Sequence, residues 1–152
     1  MTNPHTQTFY ALLMLAAGLG IPVMAALNGN LGTRLNSPAL ATTILFVVGG
    51  LISLSYLLLT EGIPKFNAPE PPPYYFYLGG IFVTFYILSM TWVAPKFGVG
   101  NAVSFVLLGQ LISMAIIDHF ALLGAPQSTL SVQRLTGLFF MVVGVFLAVR
   151  RL

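Results

Sequence analysis

Apolar residues along the chain gather into five long runs, separated by short intervals that hold most of the charge and many of the prolines. The runs cover positions 9–27, 38–60, 74–94, 101–123 and 132–149. A helix rises 1.5 Å per residue, so crossing the hydrocarbon core takes about 20 apolar residues. The first four runs meet that length. The fifth is free of charge only over 135–149 and is short, but Arg134 and the Arg150-Arg151 pair can extend their heads to the interfaces. The pattern predicts helices over about 9–28, 38–60, 74–94, 101–123 and 132–149. Together they form a single five-helix transmembrane domain spanning 1–152.

The breaks carry their own signals. Ser37-Pro38 reads as an N-cap followed by proline in the first turn. Gly62, Pro64, Pro69 and the run Pro71-Pro72-Pro73 predict a stiff, exposed second connection. Pro95, Gly98 and Gly100 interrupt the chain before the fourth helix, and Gly124 and Pro126 interrupt it afterwards. Tyr74-Tyr75-Phe76-Tyr77 and, at the far end of the same helix, Trp92 suit the two membrane interfaces. The first run is too long for a signal peptide and has no Lys or Arg before it, so it reads as a retained helix.

Composition sharpens the class. Of 152 residues, 57% are hydrophobic and 6% charged, against about 25% charged in an ordinary soluble domain. The chain is all-α and integral to a membrane. The absence of cysteine excludes disulfides and thiolate chemistry. The net charge of +3 arises from six basic and three acidic side chains. These are scattered rather than clustered on one face, so nucleic acid is not an indicated partner.

Charge placement bears on orientation. Lys65 and Arg134 fall on one side of a five-helix unit, and Arg34, Lys96, Arg150 and Arg151 on the other. Two against four weakly favours a cytoplasmic C-terminus. It is also compatible with insertion both ways and antiparallel pairing, in which a five-helix unit facing its inverted copy reproduces the inverted repeats of secondary transporters.

Polar and small residues inside the runs are the candidate chemistry. Pro22 cannot donate a backbone hydrogen bond and frees the carbonyl of Gly18. The result is either a simple kink or unwound backbone lining a cavity. Asn28 is either a helix C-cap with Gly29 or a polar cavity wall. Small residues recur four apart at Ala16 and Gly20, Gly100 and Ser104, Gly109 and Ser113, and Gly144 and Ala148. They predict close helix packing, as do Gly49-Gly50 and Gly79-Gly80.

The fourth helix is the most polar. Ser104, Gln110, Ser113 and Asp118 share one broad face, with Asn101 at its edge and His119 turned away toward the interface. Gln110, deep in the span, either lines a cavity or bonds a neighbouring helix. An intramembrane carboxylate is a functional candidate. Asp118, however, lies only about 7–8 Å from the expected helix end, on the side where Arg134 opens the fifth helix. The pair therefore reads either as a bridge tying two helix ends or as a coupling or gating element.

Enzyme chemistry finds no footing. There is a single acid within the spans, no G-x-S-x-G, no phosphate-cradling loop, and too few His, Asp and Glu for a metal site. No catalytic residue, metal or cofactor is expected.

Several of these segments together resemble a known family. They are Pro22-Val-Met-Ala-Ala-Leu-Asn28-x-x-Leu31, Ser37-Pro38-Ala39 leading to Phe46-x-x-Gly49, and Leu78-Gly79-Gly80 with Ala94-Pro95-x-x-Gly98. Gly109-Gln110-Leu111 through Asp118-His119-Phe120 to Gly124 follows, and then Arg134-Leu135-x-Gly137 and Gly144. The order resembles the YdcZ-like proteins of the drug/metabolite transporter superfamily across nearly the whole chain. The resemblance implies a bacterial inner-membrane exporter of small molecules. It also implies a five-helix half of a ten-helix inverted-repeat fold, completed by antiparallel dimerisation. Many relatives carry Gln where this chain has Met24, which leaves the cavity more apolar here. The first helix has no acid, so the proton exchange of the superfamily's four-helix multidrug exporters does not carry over.

The expected function is a small-molecule secondary transporter working by alternating access as an antiparallel homodimer. Its partners are a second copy of itself, the lipid bilayer and a small organic solute. Pro22, Asn28 and Gln110 are the candidate cavity residues, with Trp92 and Tyr56 as aromatic walls. Asp118 and Arg134 are the candidate gating or coupling pair. The alternatives are a dual-topology small-ion channel and a non-transporting membrane scaffold.

Overall fold

The computed structural model describes residues 4–63 and 71–149, with side chains from residue 6 onward. Pro64, Lys65, Pro69 and Glu70 of the second connection lie outside the described residues, as do Arg150 and Arg151. Five α-helices account for most of the rest: α1 (Pro4–Arg34), α2 (Pro38–Thr60), α3 (Gly79–Phe97), α4 (Val99–Phe120) and α5 (Val132–Ala148). No strand occurs among the described residues. The spans Thr6–Arg34, Pro38–Thr60, Tyr74–Phe97 and Val99–Phe120 are long and apolar enough to cross a membrane, whereas α5 is a shorter apolar helix. The chain divides into two compact units, Met1–Lys96 and Phe97–Leu152.

In the first unit, α1 continues well past the apolar run that predicts it and passes through Pro22 without unwinding. It closes on a Schellman-type turn. Asn36 takes a left-handed conformation (φ 51°), Asn36 N–H donates to Thr33 O and Ser37 N–H to Gly32 O. Ser37 then caps α2, its hydroxyl accepting from Leu40 N at 3.1 Å, with Pro38 at the first helical position. Three residues thus join two antiparallel helices. A short 3₁₀ segment over Tyr74–Leu78 leads into α3, which carries Pro95 near its end.

The buried residues of this unit sit where the C-terminal half of α1, the start of α2 and the C-terminal half of α3 converge. Ala25, Asn28, Ala41, Thr42, Ile87, Met90, Thr91 and Ala94 are each 5% exposed or less. Two α1 glycines permit this approach. A Cβ at Gly32 would lie 2.8 Å from Thr91 Cγ2 and 3.3 Å from Pro38 Cα; one at Gly29 would lie 3.2 Å from Pro95 Cγ. The glycines expected to pack helices make no such contact among the described residues. At Gly20, Gly49, Gly50, Gly79, Gly80, Gly100, Gly109 and Gly144 an added Cβ meets nothing within 4 Å.

In the second unit, the break before α4 is confined to Gly98, whose φ of 91° is a glycine conformation; Gly100 is helical. α4 ends at Phe120, three residues before its apolar run does. Ala121 and Leu123 both adopt left-handed φ, and Gly124 follows at 80°. Hydropathy could not place that end, because Ala121-Leu122-Leu123 is as apolar as the helix itself. Ser131 caps α5, accepting from Arg134 N, and α4 packs against α5.

Candidate functional site

Three helices of the first unit meet at one hydroxyl. Thr91, on α3, donates its proton to the carbonyl of Ile87 one turn earlier at 2.8 Å. Its lone pairs then accept from Asn28 Nδ2 on α1 and, at 3.4 Å, from the Thr42 hydroxyl on α2. A hydroxyl offers one donor and two acceptor sites, so Thr91 is saturated. Asn28 and Thr42 are 5% and 4% exposed. In a bilayer such groups are retained only where they find partners. Asn28 lies inside α1 rather than at its end, which sets aside the C-cap reading.

Two cavities adjoin this cluster. The first, an open groove of about 300 Å³, lies between α1 and α2 and is lined by Met24, Leu27, Asn28, Leu31, Ile44, Leu45 and Val48. Asn28 is the one polar side chain among them. No donor reaches its Oδ1 among the described residues. The second, about 500 Å³, is lined by Gly32, Thr33, Asn36, Pro38, Thr91, Trp92, Pro95 and Lys96. The Lys96 ammonium sits 4.1 Å from the Trp92 ring centroid, a cation–π contact at the end of α3. Trp92 also walls a third hollow of about 440 Å³ with Pro38, Ala39, Phe85, Leu88 and Ser89.

In the second unit, Arg134 forms a salt bridge with Asp118 Oδ2. The same guanidinium donates to the carbonyl and hydroxyl of Ser128, and Ser128 N–H donates to Asp118 O. The α4–α5 loop thereby wraps the ion pair. His119 Nδ1 accepts from Leu130 N at 3.4 Å and its ring meets Phe120 edge-on, so it closes the same loop. Among the described residues no group of three or more His, Cys, Asp or Glu side chains could hold a metal.

The family described as "Putative inner membrane exporter, YdcZ" matches residues 9–147. The chain belongs to this YdcZ family. Comparison with curated proteins and with solved structures gives no match. As a YdcZ family member with four membrane-crossing helices, the protein is a multi-pass inner-membrane protein of a transporter family rather than an enzyme family.

Of the residues singled out in the sequence, Asn28 lines the α1–α2 cavity and Trp92 walls two others. Pro22 is half-buried and lines none of these three hollows, and Tyr56 is exposed on α2 away from them. Gln110 and Ser113 are exposed on α4. Asp118 and Arg134 are paired. Thr91, Thr42 and Gly32 went unnoticed in the sequence, and Gly29 was read only as part of a helix C-cap. Glycines three apart on α1, facing a threonine and a proline four apart on α3, were the available signal. Tyr86 was missed as well; its hydroxyl is enclosed and has no hydrogen-bond partner among the described residues.

Proposed function

We propose that this YdcZ family protein is half of a secondary transporter that exports a small organic solute by alternating access and is completed by an antiparallel second copy. The α1–α2 cavity, with the Asn28 amide held by Thr91, is the observation that carries this reading. It places a single polar side chain, itself anchored, on an otherwise apolar groove between two helices long and apolar enough to cross a membrane, and sites of this composition suit small molecules. Trp92 serves as an aromatic wall on the side of Lys96. Asp118 and Arg134 act as a gate-side clamp on the α4–α5 loop.

Two features support a second copy. Gln110 stands exposed at the middle of α4, and an amide facing hydrocarbon is costly without a partner. The open positions at Gly49, Gly50, Gly109 and Gly144 would let another backbone approach closely. Pro22 and Tyr56 complete the candidate wall only if the partner closes over them.

Proteoliposome flux tests the carrier reading. Saturable counterflow of a small organic solute is the expected result, whereas weakly selective, non-saturating flux would make the protein a small-ion channel. A purified dimer that moves no ligand would make it a scaffold. C-terminal reporter fusions test the pairing, and a single orientation in the membrane overturns the antiparallel dimer.

A further inference from the structure

We propose that the α1–α2 cavity selects neutral, largely apolar solutes that carry a hydrogen-bond donor, with Asn28 Oδ1 as the specificity-determining acceptor. The inference rests on the carrier reading above and names the class of solute it would take. Its first support is a count of protons. Thr91 has a single hydroxyl hydrogen and spends it on Ile87 O. The group facing Thr91 from α1 must therefore be a donor, which fixes the Asn28 amide with its nitrogen toward α3. The amide oxygen is turned away from Thr91. Asn28 is 5% exposed, yet no donor reaches this oxygen among the described residues, and the side chain lines the cavity. The oxygen retains access to the cavity rather than being sealed off as the Tyr86 hydroxyl is, so a ligand donor can reach and bond it.

The second support is what else lines the hollow. Met24, Leu27, Ile44, Leu45 and Val48 offer only apolar surface. A charged solute would shed its hydration with no counter-ion to replace it. A solute with only acceptors would be left to the second amide N–H, on the nitrogen already held by Thr91. Both classes are selected against, and a neutral donor is selected for.

The test is equilibrium binding to the purified full chain in lipid nanodiscs, with three probes of one shape: 1-naphthol, 1-methoxynaphthalene and the trimethyl(1-naphthyl)ammonium ion. Naphthol is expected to bind roughly tenfold tighter than its methyl ether, as one hydrogen bond predicts. The ammonium ion should not displace it. Asn28→Leu should bring the two neutral probes to parity, and Val48→Phe, which narrows the cavity without touching the Asn28–Thr91 bond, should weaken both. Equal binding of naphthol and its ether to the unmodified protein overturns the donor preference, as does tighter binding of the cation. Naphthol binding unaffected by Val48→Phe, or no saturable naphthol binding at all, overturns the site. Saturable counterflow of another solute would then show that the carrier reading stands without it.

Discussion

Asn28 on α1 donates its side-chain amide to the hydroxyl of Thr91 on α3, a residue 63 positions away in the sequence. Thr91 is the shared acceptor for two helices and the donor to its own. Thr91→Val keeps the shape of the side chain and removes every one of these bonds. It should destabilise the protein by about 1–3 kcal/mol, because the buried Asn28 amide loses its acceptor. Thr42→Val should cost less than half as much, since its contact is 3.4 Å long. Thermal unfolding in detergent, followed by circular dichroism, measures both.

The same convergence depends on a missing Cβ. Thr91 is pinned by its bond to Ile87 and cannot swing away from a methyl at Gly32, and Pro38 Cα bounds the other side. Gly32→Ala should cost about 1–3 kcal/mol from overpacking. Gly18→Ala, where nothing lies within 4 Å, should leave stability unchanged or raise it by up to about 1 kcal/mol. Equal losses in the two variants would mean that the α1 glycines serve something other than this contact.

The Asp118–Arg134 pair opposes both helices that carry it. Asp118 lies in the last turn of α4, next to the negative end of the helix dipole, and Arg134 lies in the first turn of α5, next to the positive end. Each charge is tolerated because of the other. Asp118→Asn should therefore cost about 1 kcal/mol, an estimate kept low because both side chains are partly exposed. The swapped double variant Asp118→Arg/Arg134→Asp should be at least as stable as the unmodified protein, since it satisfies both dipoles. A swapped protein less stable than either single variant would show that the surrounding Ser128 bonds, not the charges, hold the loop.

Tyr86 gives a prediction of opposite sign. Its hydroxyl is enclosed without a partner, so Tyr86→Phe removes an unmet polar group and should raise stability by about 1 kcal/mol. A loss on the same assay would mean that an enclosed water bonds this hydroxyl.

What could be read in the sequence divides along physical lines. The helices were legible because hydrocarbon demands long apolar runs, and nine scattered charges fence those runs. Their ends were less so. α1 runs on to Arg34 through Gly29, which reads as part of a C-cap, and through Gly32; both serve a close contact. α4 stops at Phe120 inside an apolar run, because the loop beyond it bonds back to Asp118 O. At the site, Asn28 stood out as an amide among aliphatic residues. Thr91 did not, since a threonine that returns its proton to the carbonyl one turn back looks neutral in any hydropathy reading. A search for small residues four apart reaches Gly29 through Ala25 but passes over Gly32, three residues further on.

The shortness of α5 reaches beyond the protein to its lipid. Seventeen residues give roughly 26 Å, a few ångströms less than a typical hydrocarbon core of about 30 Å, and Arg134 takes up part of the first turn. α1, with 31 residues, can tilt or protrude, but α5 cannot stretch. If α5 crosses, the bilayer must thin around it. Acyl chain length then becomes a control on this protein. Thermal stability and flux measured across phosphatidylcholines of increasing chain length should peak in the shorter lipids and fall as the membrane thickens, and a flat profile would place α5 at the surface rather than across.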